Sequence, residues 1–160
     1  MNCPLCGKLW VFMKFIADVM LGKLAKRMRL LGFDVLYDRT LDDNEIIRLS
    51  LEQQRMILTR DSALAERPLA TNHLFITANL VKAQLDQALS AFHIKTVTGF
   101  LTRCSLCNEV LAPISKEEAK DLVPPYVYDK QENFLRCETC RRIYWVGTHV
   151  KKMAVPMEKK

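Results

Sequence analysis

The chain has 160 residues, 49% of them hydrophobic, with a formal charge of +6 and a pI near 9.1. That is enough apolar material for one proper core and a small appendage, and the basic balance suits a polyanionic partner such as nucleic acid. No apolar run approaches the ~20 residues that cross a bilayer, and an opening with Cys3, Pro4 and Cys6 ahead of Lys8 lacks the order of a signal peptide, so a cytoplasmic protein with no membrane partner is expected.

Residues 1–13 carry Cys3 and Cys6, spaced as a metal knuckle but without an evident partner half. They can ligate a metal together with His73, His93, His149 or another chain, act as a redox pair, or remain free thiols. Lys14 to Asp18 then reads as a short apolar strand ending in a carboxylate. From Met20 to Leu31 the apolar residues recur at intervals of three and four, with Lys23, Lys26 and Arg27 on the other side, so an amphipathic helix is expected, stopped by Gly32. Phe33 to Asp38 reads as a second strand. Asp42 or Asp43 caps a helix through about Gln54, with Glu45 in its first turn. Arg55 to Asp61 is a third strand that again finishes on an acid, His73 to Thr77 a fourth, and Ala78 to Phe92 a helix with Leu80, Leu85, Ala88 and Leu89 inward. Met13, Met20, Met28 and Met56 read as core filling.

Alternating strands and helices predict an α/β domain over 14–100, with a parallel sheet covered on both faces and ligands at the carboxyl ends of the strands. Asp18 and Asp61 both fall at such ends, and Asp43 or Glu45 can join them from a helix start on the same rim. Acids so crowded repel one another unless a divalent cation such as Mg²⁺ or Mn²⁺ intervenes, and such a cation supports hydrolytic phosphoryl transfer. The neighbouring cations Lys23, Lys26, Arg27 and Arg29 fit either a solvated helix face or phosphate contact beside the acids. Each acid alone fits a turn or cap just as well.

Residues 101–153 contain two further pairs, Cys104/Cys107 and Cys137/Cys140, separated by 29 residues. Each pair delivers two sulfurs from one tight turn, and two such turns complete the tetrahedral four-thiolate set that Zn²⁺ prefers. A small zinc-ribbon domain is expected there, with a hairpin or excursion filling the gap and residues 154–160 as a tail. In a reducing compartment the thiols favour metal over disulfides. Tyr144, Trp145 and His149 can stack on unpaired bases with Arg141 and Arg142 beside them, although Trp145 reads first as an aromatic packed against the preceding domain.

Five segments carry a resemblance: Phe15-Ile16-Ala17-Asp18, Gly22-Lys23-Leu24-Ala25-Lys26, Arg29-Leu30-Leu31-Gly32, Asp43-Asn44-Glu45-Ile46-Ile47 and Leu58-Thr59-Arg60-Asp61. With Val123-Pro124-Pro125, Phe134-Leu135-Arg136-Cys137 and the stretch from Tyr144 to His149, they resemble PIN-like ribonucleases that carry a C-terminal zinc ribbon. That family stands alone in many bacteria and archaea and also forms the C-terminal domain of an animal exonuclease-like protein of RNA silencing. The resemblance implies a PIN-like fold and catalytic, Mg²⁺- or Mn²⁺-binding acids at Asp18, Asp43 and Asp61, with Asp42 and Glu45 as near alternatives. It departs from the common PIN pattern at Thr77-Ala78-Asn79, where a fourth acid often stands. A metal-dependent endoribonuclease is therefore expected, with RNA contacts at Lys23, Lys26, Arg27, Arg29, Arg60, Arg141, Arg142 and His149. The alternative is a non-catalytic RNA-binding or ribosome-associated adaptor with a degenerate acidic site. The sequence leaves the RNA, protein partners and oligomeric state open.

Overall fold

The computed structural model describes residues 13–97 and 99–147. Four strands, β1 (Lys14–Ala17), β2 (Asp34–Leu36), β3 (Arg55–Thr59) and β4 (His73–Phe75), form a parallel sheet in the order β2-β1-β3-β4. The strands are apolar on both sides because both sides are covered. Phe15, Ala17 and Leu58 pack against helices α1 (Gly22–Leu30) and α4 (Val81–Ala91). Ile16 and Ile57 point the other way, onto α2 (Asp43–Gln53) and the short α3 (Ser62–Ala65). Phe15 is fully buried and meets Phe33 and Phe92 edge-on, with ring centroids 5.9 and 5.2 Å away.

The order of the strands matters more than their number. From β1 the chain moves outward to β2, then returns across β1 to β3, so the winding reverses between β1 and β3. In an open parallel sheet that reversal leaves a crevice at the carboxyl ends of the two strands, the usual place for a ligand.

The helices are shorter than their apolar periodicity predicts. Residues Val19–Leu21 form a 3-10 turn ahead of α1, because Asp18 accepts a hydrogen bond from the Met20 amide and starts the turn one step early. Met20 is 61% exposed there, so it is not core filling, whereas Met28 is fully buried. Helix α4 begins at Val81, three residues later than expected, because the Gln87 side chain folds back to accept from the Thr77 and Ala78 amides and holds that stretch extended. Leu80, expected inward, is 76% exposed as a result. Gly32 ends α1 as anticipated: its φ is +93°, and a Cβ there would strike the Gly99 carbonyl.

The second part is an antiparallel sheet in the order β5-β6-β7, made of β5 (Ala112–Ile114), β6 (Phe134–Arg136) and β7 (Ile143–Trp145). Between β5 and β6 lie α5 (Lys116–Ala119) and α6 (Pro125–Lys130), which fill the long gap between the cysteine pairs. Ala119, Val123, Val127 and Phe134 make a small core of their own, and Trp145 packs against that core.

Polar clamps hold the two parts together. The Leu101 amide donates to the Leu30 carbonyl at 2.8 Å, and Asn108 accepts from the Val35 amide while donating to Asp34 at 2.7 Å. Asp34 also receives Arg55 at 2.8 Å and faces Arg103 at 3.7 Å. Burial works against its charge, yet the hydrogen bonds from Arg55 and Asn108 and the charges of Arg55 and Arg103 prevail, leaving its pKa below the usual carboxylate value. Among the described residues no helix is long and apolar enough to cross a membrane. Cys3, Cys6, His149 and the tail from 154 onward lie outside the described residues.

Candidate functional site

At the carboxyl end of β1, Asp18 is 4% exposed. Its backbone amide donates to the Leu58 carbonyl of the adjacent strand at 3.0 Å, which fixes the residue in the crevice between β1 and β3. One carboxylate oxygen accepts from the Met20 amide, and the other accepts from the Thr59 hydroxyl and from the Arg60 amide at 2.8 Å. The Thr59 hydroxyl in turn accepts from the Asp61 amide at 2.9 Å, so one hydroxyl joins the two acids. Asp61 caps α3 by accepting from the Ala63 amide through Oδ1, and its Oδ2 accepts no hydrogen bond among the described residues.

Asp43 opens α2 on the same rim and faces Arg67 at 3.8 Å, half exposed. Its neighbours Asp42 and Glu45 are bound to each other in a reciprocal cap: Asp42 accepts from the Glu45 amide at 2.9 Å and Glu45 from the Asp42 amide at 3.3 Å. That pairing gives both a helix-starting role.

Beside Asp18 lies a cleft of about 470 Å³ whose walls include Lys23, Lys26, Arg39, Arg60, Tyr37 and Asn79. It exists because α1 starts at a glycine: a Cβ at Gly22 would collide with the Tyr37 ring. Arg60 donates to Asn79 at 2.6 Å and is thereby oriented along the wall. Lys23, Lys26 and Arg60 come from the sequence expectation, while Arg39 sits in a loop after β2 and has no periodicity to mark it. Arg27 is half-buried on the same helix.

Arg29 has a different place from the phosphate contact expected of it. It is 2% exposed and points away from the cleft, donating to the Val35 carbonyl at 2.8 Å and to the Leu106 carbonyl at 2.5 Å. Arg29 follows Ala25 by four residues and so lies at the edge of the helix face buried with Leu24, Ala25 and Met28.

Leu106 belongs to the turn between Cys104 and Cys107. The Sγ atoms of Cys104 and Cys107 are 3.6 Å apart, those of Cys104 and Cys140 3.6 Å, and those of Cys107 and Cys137 3.7 Å. Those separations are far longer than a disulfide, and they match the ~3.8 Å edge of a tetrahedron with zinc–sulfur bonds of about 2.3 Å. The four sulfurs lie within 4.8 Å of one another, so the cluster can hold a metal such as zinc. Burial disfavours charge on Cys104, Cys107 and Cys137. At Cys104 the amides of Cys107 and Leu106 and the Tyr144 hydroxyl outweigh it and lower the pKa to about 6. Burial and the neighbouring sulfurs push Cys107 and Cys137 up instead. Four thiolates in this space need a cation at their centre. Burial pulls the Arg29 guanidinium below its usual pKa while charge on Cys104 and Cys107 opposes the shift, so the buried cation stands next to sulfurs whose zinc complex would carry an excess of two negative charges.

Among the described residues the cysteines are the set of metal-ligating groups that converges this closely; Asp18, Asp43 and Asp61 do not form a second one. Three of the four lone-pair positions on Asp18 are already engaged. The rim therefore presents no cage of three carboxylates.

The chain matches the model of a family described as the Mut7-C RNAse domain over residues 13–157. It belongs to that family. Membership of the Mut7-C RNAse domain family supports a ribonuclease-type function, the coarser part of the resemblance read from the sequence. No curated protein matches the chain.

Proposed function

We propose that the protein is a metal-dependent endoribonuclease that hydrolyses RNA phosphodiester bonds at the carboxyl rim of the parallel sheet. The observation that carries the proposal is the meeting of acids and cations at the β1/β3 crevice, where Asp18 and Asp61 share Thr59 and the basic cleft opens beside them. In this reading residues 14–100 are a PIN-like catalytic domain and residues 101–153 a zinc ribbon that helps to grip RNA.

Lys23, Lys26, Arg39 and Arg60 hold the RNA backbone, and the strand order turns its phosphates toward the acids. A bound Mg²⁺ or Mn²⁺ would supply Lewis acidity, easing ionisation of a water and neutralising the phosphodiester. Asp61, through its uncommitted oxygen, and Asp43, exposed at the start of α2, are the carboxylates free to orient that hydrated ion. Asp18 anchors the crevice and keeps one lone pair for it.

The heavy commitment of Asp18 to the fold and the spread of the three carboxylates favour a second reading, a non-catalytic RNA-binding or ribosome-associated adaptor. Cleavage of a labelled, partly single-stranded RNA with Mn²⁺ or Mg²⁺, by the wild type and Asp61→Asn, separates the two. The nuclease predicts metal-dependent cutting that falls at least a hundredfold in the variant, on the scale of losing a group that stabilises the transition state. Binding by both proteins with no cutting by either would establish the adaptor.

A further inference from the structure

A second cleft, of about 540 Å³, opens between the two parts of the molecule and is lined by aromatic and aliphatic side chains. Tyr126 of α6, Trp145 of β7, Leu30 and Leu101 line it together with Lys130 and Gln131. Tyr126 is 66% exposed, one of the large hydrophobic side chains that the fold leaves open to solvent. The side chains of Lys130 and Gln131 make no hydrogen bond among the described residues. Aromatic rings lining an open slot, with unused donors beside them, are the chemistry that receives a nucleobase: stacking on its face and hydrogen bonds to its edge.

Helix α1 connects this slot to the basic cleft. Lys23, Lys26, Arg27 and Leu30 follow at steps of three and four, so they share one stripe of the helix. Lys23 and Lys26 line the basic cleft at the start of that stripe, and Leu30 lines the aromatic slot at its end. At about 1.5 Å per residue, Lys23 and Leu30 are separated by roughly 10 Å along the helix, the length of about three stacked nucleotides at ~3.4 Å each.

We propose that the Tyr126–Trp145 slot binds one unpaired base of the RNA strand whose phosphates occupy the Lys23/Lys26 cleft, about three nucleotides away. This rests on RNA binding at the cleft, as proposed above, and adds that the second part of the molecule selects single-stranded RNA by stacking. A duplex cannot satisfy it, because its bases are already stacked and paired.

The test is binding of the full chain, without added Mg²⁺ or Mn²⁺, to a fluorescent single-stranded RNA of ten nucleotides, to its duplex, and to a series in which each base in turn is replaced by an abasic site. The expected result is tighter binding to the single strand, with one abasic position about tenfold weaker than the rest. Tyr126→Ala, at an exposed site outside the small core, should abolish that positional penalty, as should Trp145→Ala, while Trp145→Phe should retain it. Lys26→Ala should weaken all the oligonucleotides alike, lower the salt dependence, and leave the penalty in place. Equal binding of duplex and single strand, or a penalty unchanged in Tyr126→Ala, would overturn the proposal. Because cleavage is not the readout, these results stand apart from the outcome for Asp61→Asn: a failed slot leaves the nuclease intact, and an uncut RNA can still show the stacked base.

Discussion

Asp18 and Asp61 end adjacent parallel strands, yet their surroundings give them different work. Asp18 is buried among three donors, and deleting its carboxylate leaves the Met20 and Arg60 amides and the Thr59 hydroxyl without their acceptor. Asp18→Ala should therefore cost about 1–3 kcal/mol of stability in urea unfolding, so any loss of activity in that variant mixes folding with chemistry. Asp61 offers one oxygen that the fold does not use, which makes Asp61→Asn the cleaner probe of catalysis. Both acids were legible in the sequence as strand-end carboxylates. Their inequality was not, because it depends on which hydroxyl and amides the neighbouring strand brings within reach. Arg29 shows the same limit from the other direction. As a letter it is one more cation on a basic helix, but its position on that helix sends it inward to the Cys104–Cys107 turn.

The start of α2 sets two adjacent acids side by side with opposite roles. Asp42 closes the cap with Glu45, while Asp43 projects toward Arg67 and solvent. Asp42→Ala should lower stability by about 1 kcal/mol with cleavage per folded molecule unchanged. Asp43→Ala should leave the thermal midpoint almost unaltered and reduce metal-dependent cleavage, and the reverse pattern would show that the rim acids had been assigned the wrong way round. The helices were recognisable from their periodicity, and α2 from its cap as well, but the first turns of α1 and α4 were not. Met20 and Leu80 fit the apolar pattern and still lie outside it, because Asp18 and Gln87 recruit the preceding amides into local turns. The short helices α5 and α6 escaped notice for a related reason. Elements of four and six residues carry too few apolar positions for a period to emerge, although the capping box of Ser115 and Glu118 and the paired prolines Pro124 and Pro125 marked their beginnings.

Across the whole molecule, the four-cysteine cluster and the parallel sheet are mechanically joined, since Arg29 and Asn108 tie the Cys104–Cys107 turn to α1 and β2. Metal analysis should find about one zinc per chain from this cluster, with more implicating Cys3 and Cys6. Removing that metal with a strong chelator should lower the thermal midpoint and, in a Trp10→Phe background that leaves Trp145 as the sole tryptophan, redden its emission, because its small core and the aromatic slot lean on the same sheet. An unchanged midpoint in a protein shown to have lost its zinc would mean that the cluster is not structural. The sequence by itself determined the α/β class, the parallel sheet, the two cysteine turns and the acids at strand ends, since each depends on local spacing or periodicity. Only the tertiary structure decided the rest. The winding reversal between β1 and β3 created the crevice, the packing of Tyr37 on Gly22 opened the basic cleft, and the docking of the second part on Leu30 made the aromatic slot. These features join residues far apart in the chain, and the contacts that join them are set by which surfaces the fold brings together, a property that no spacing along the chain records.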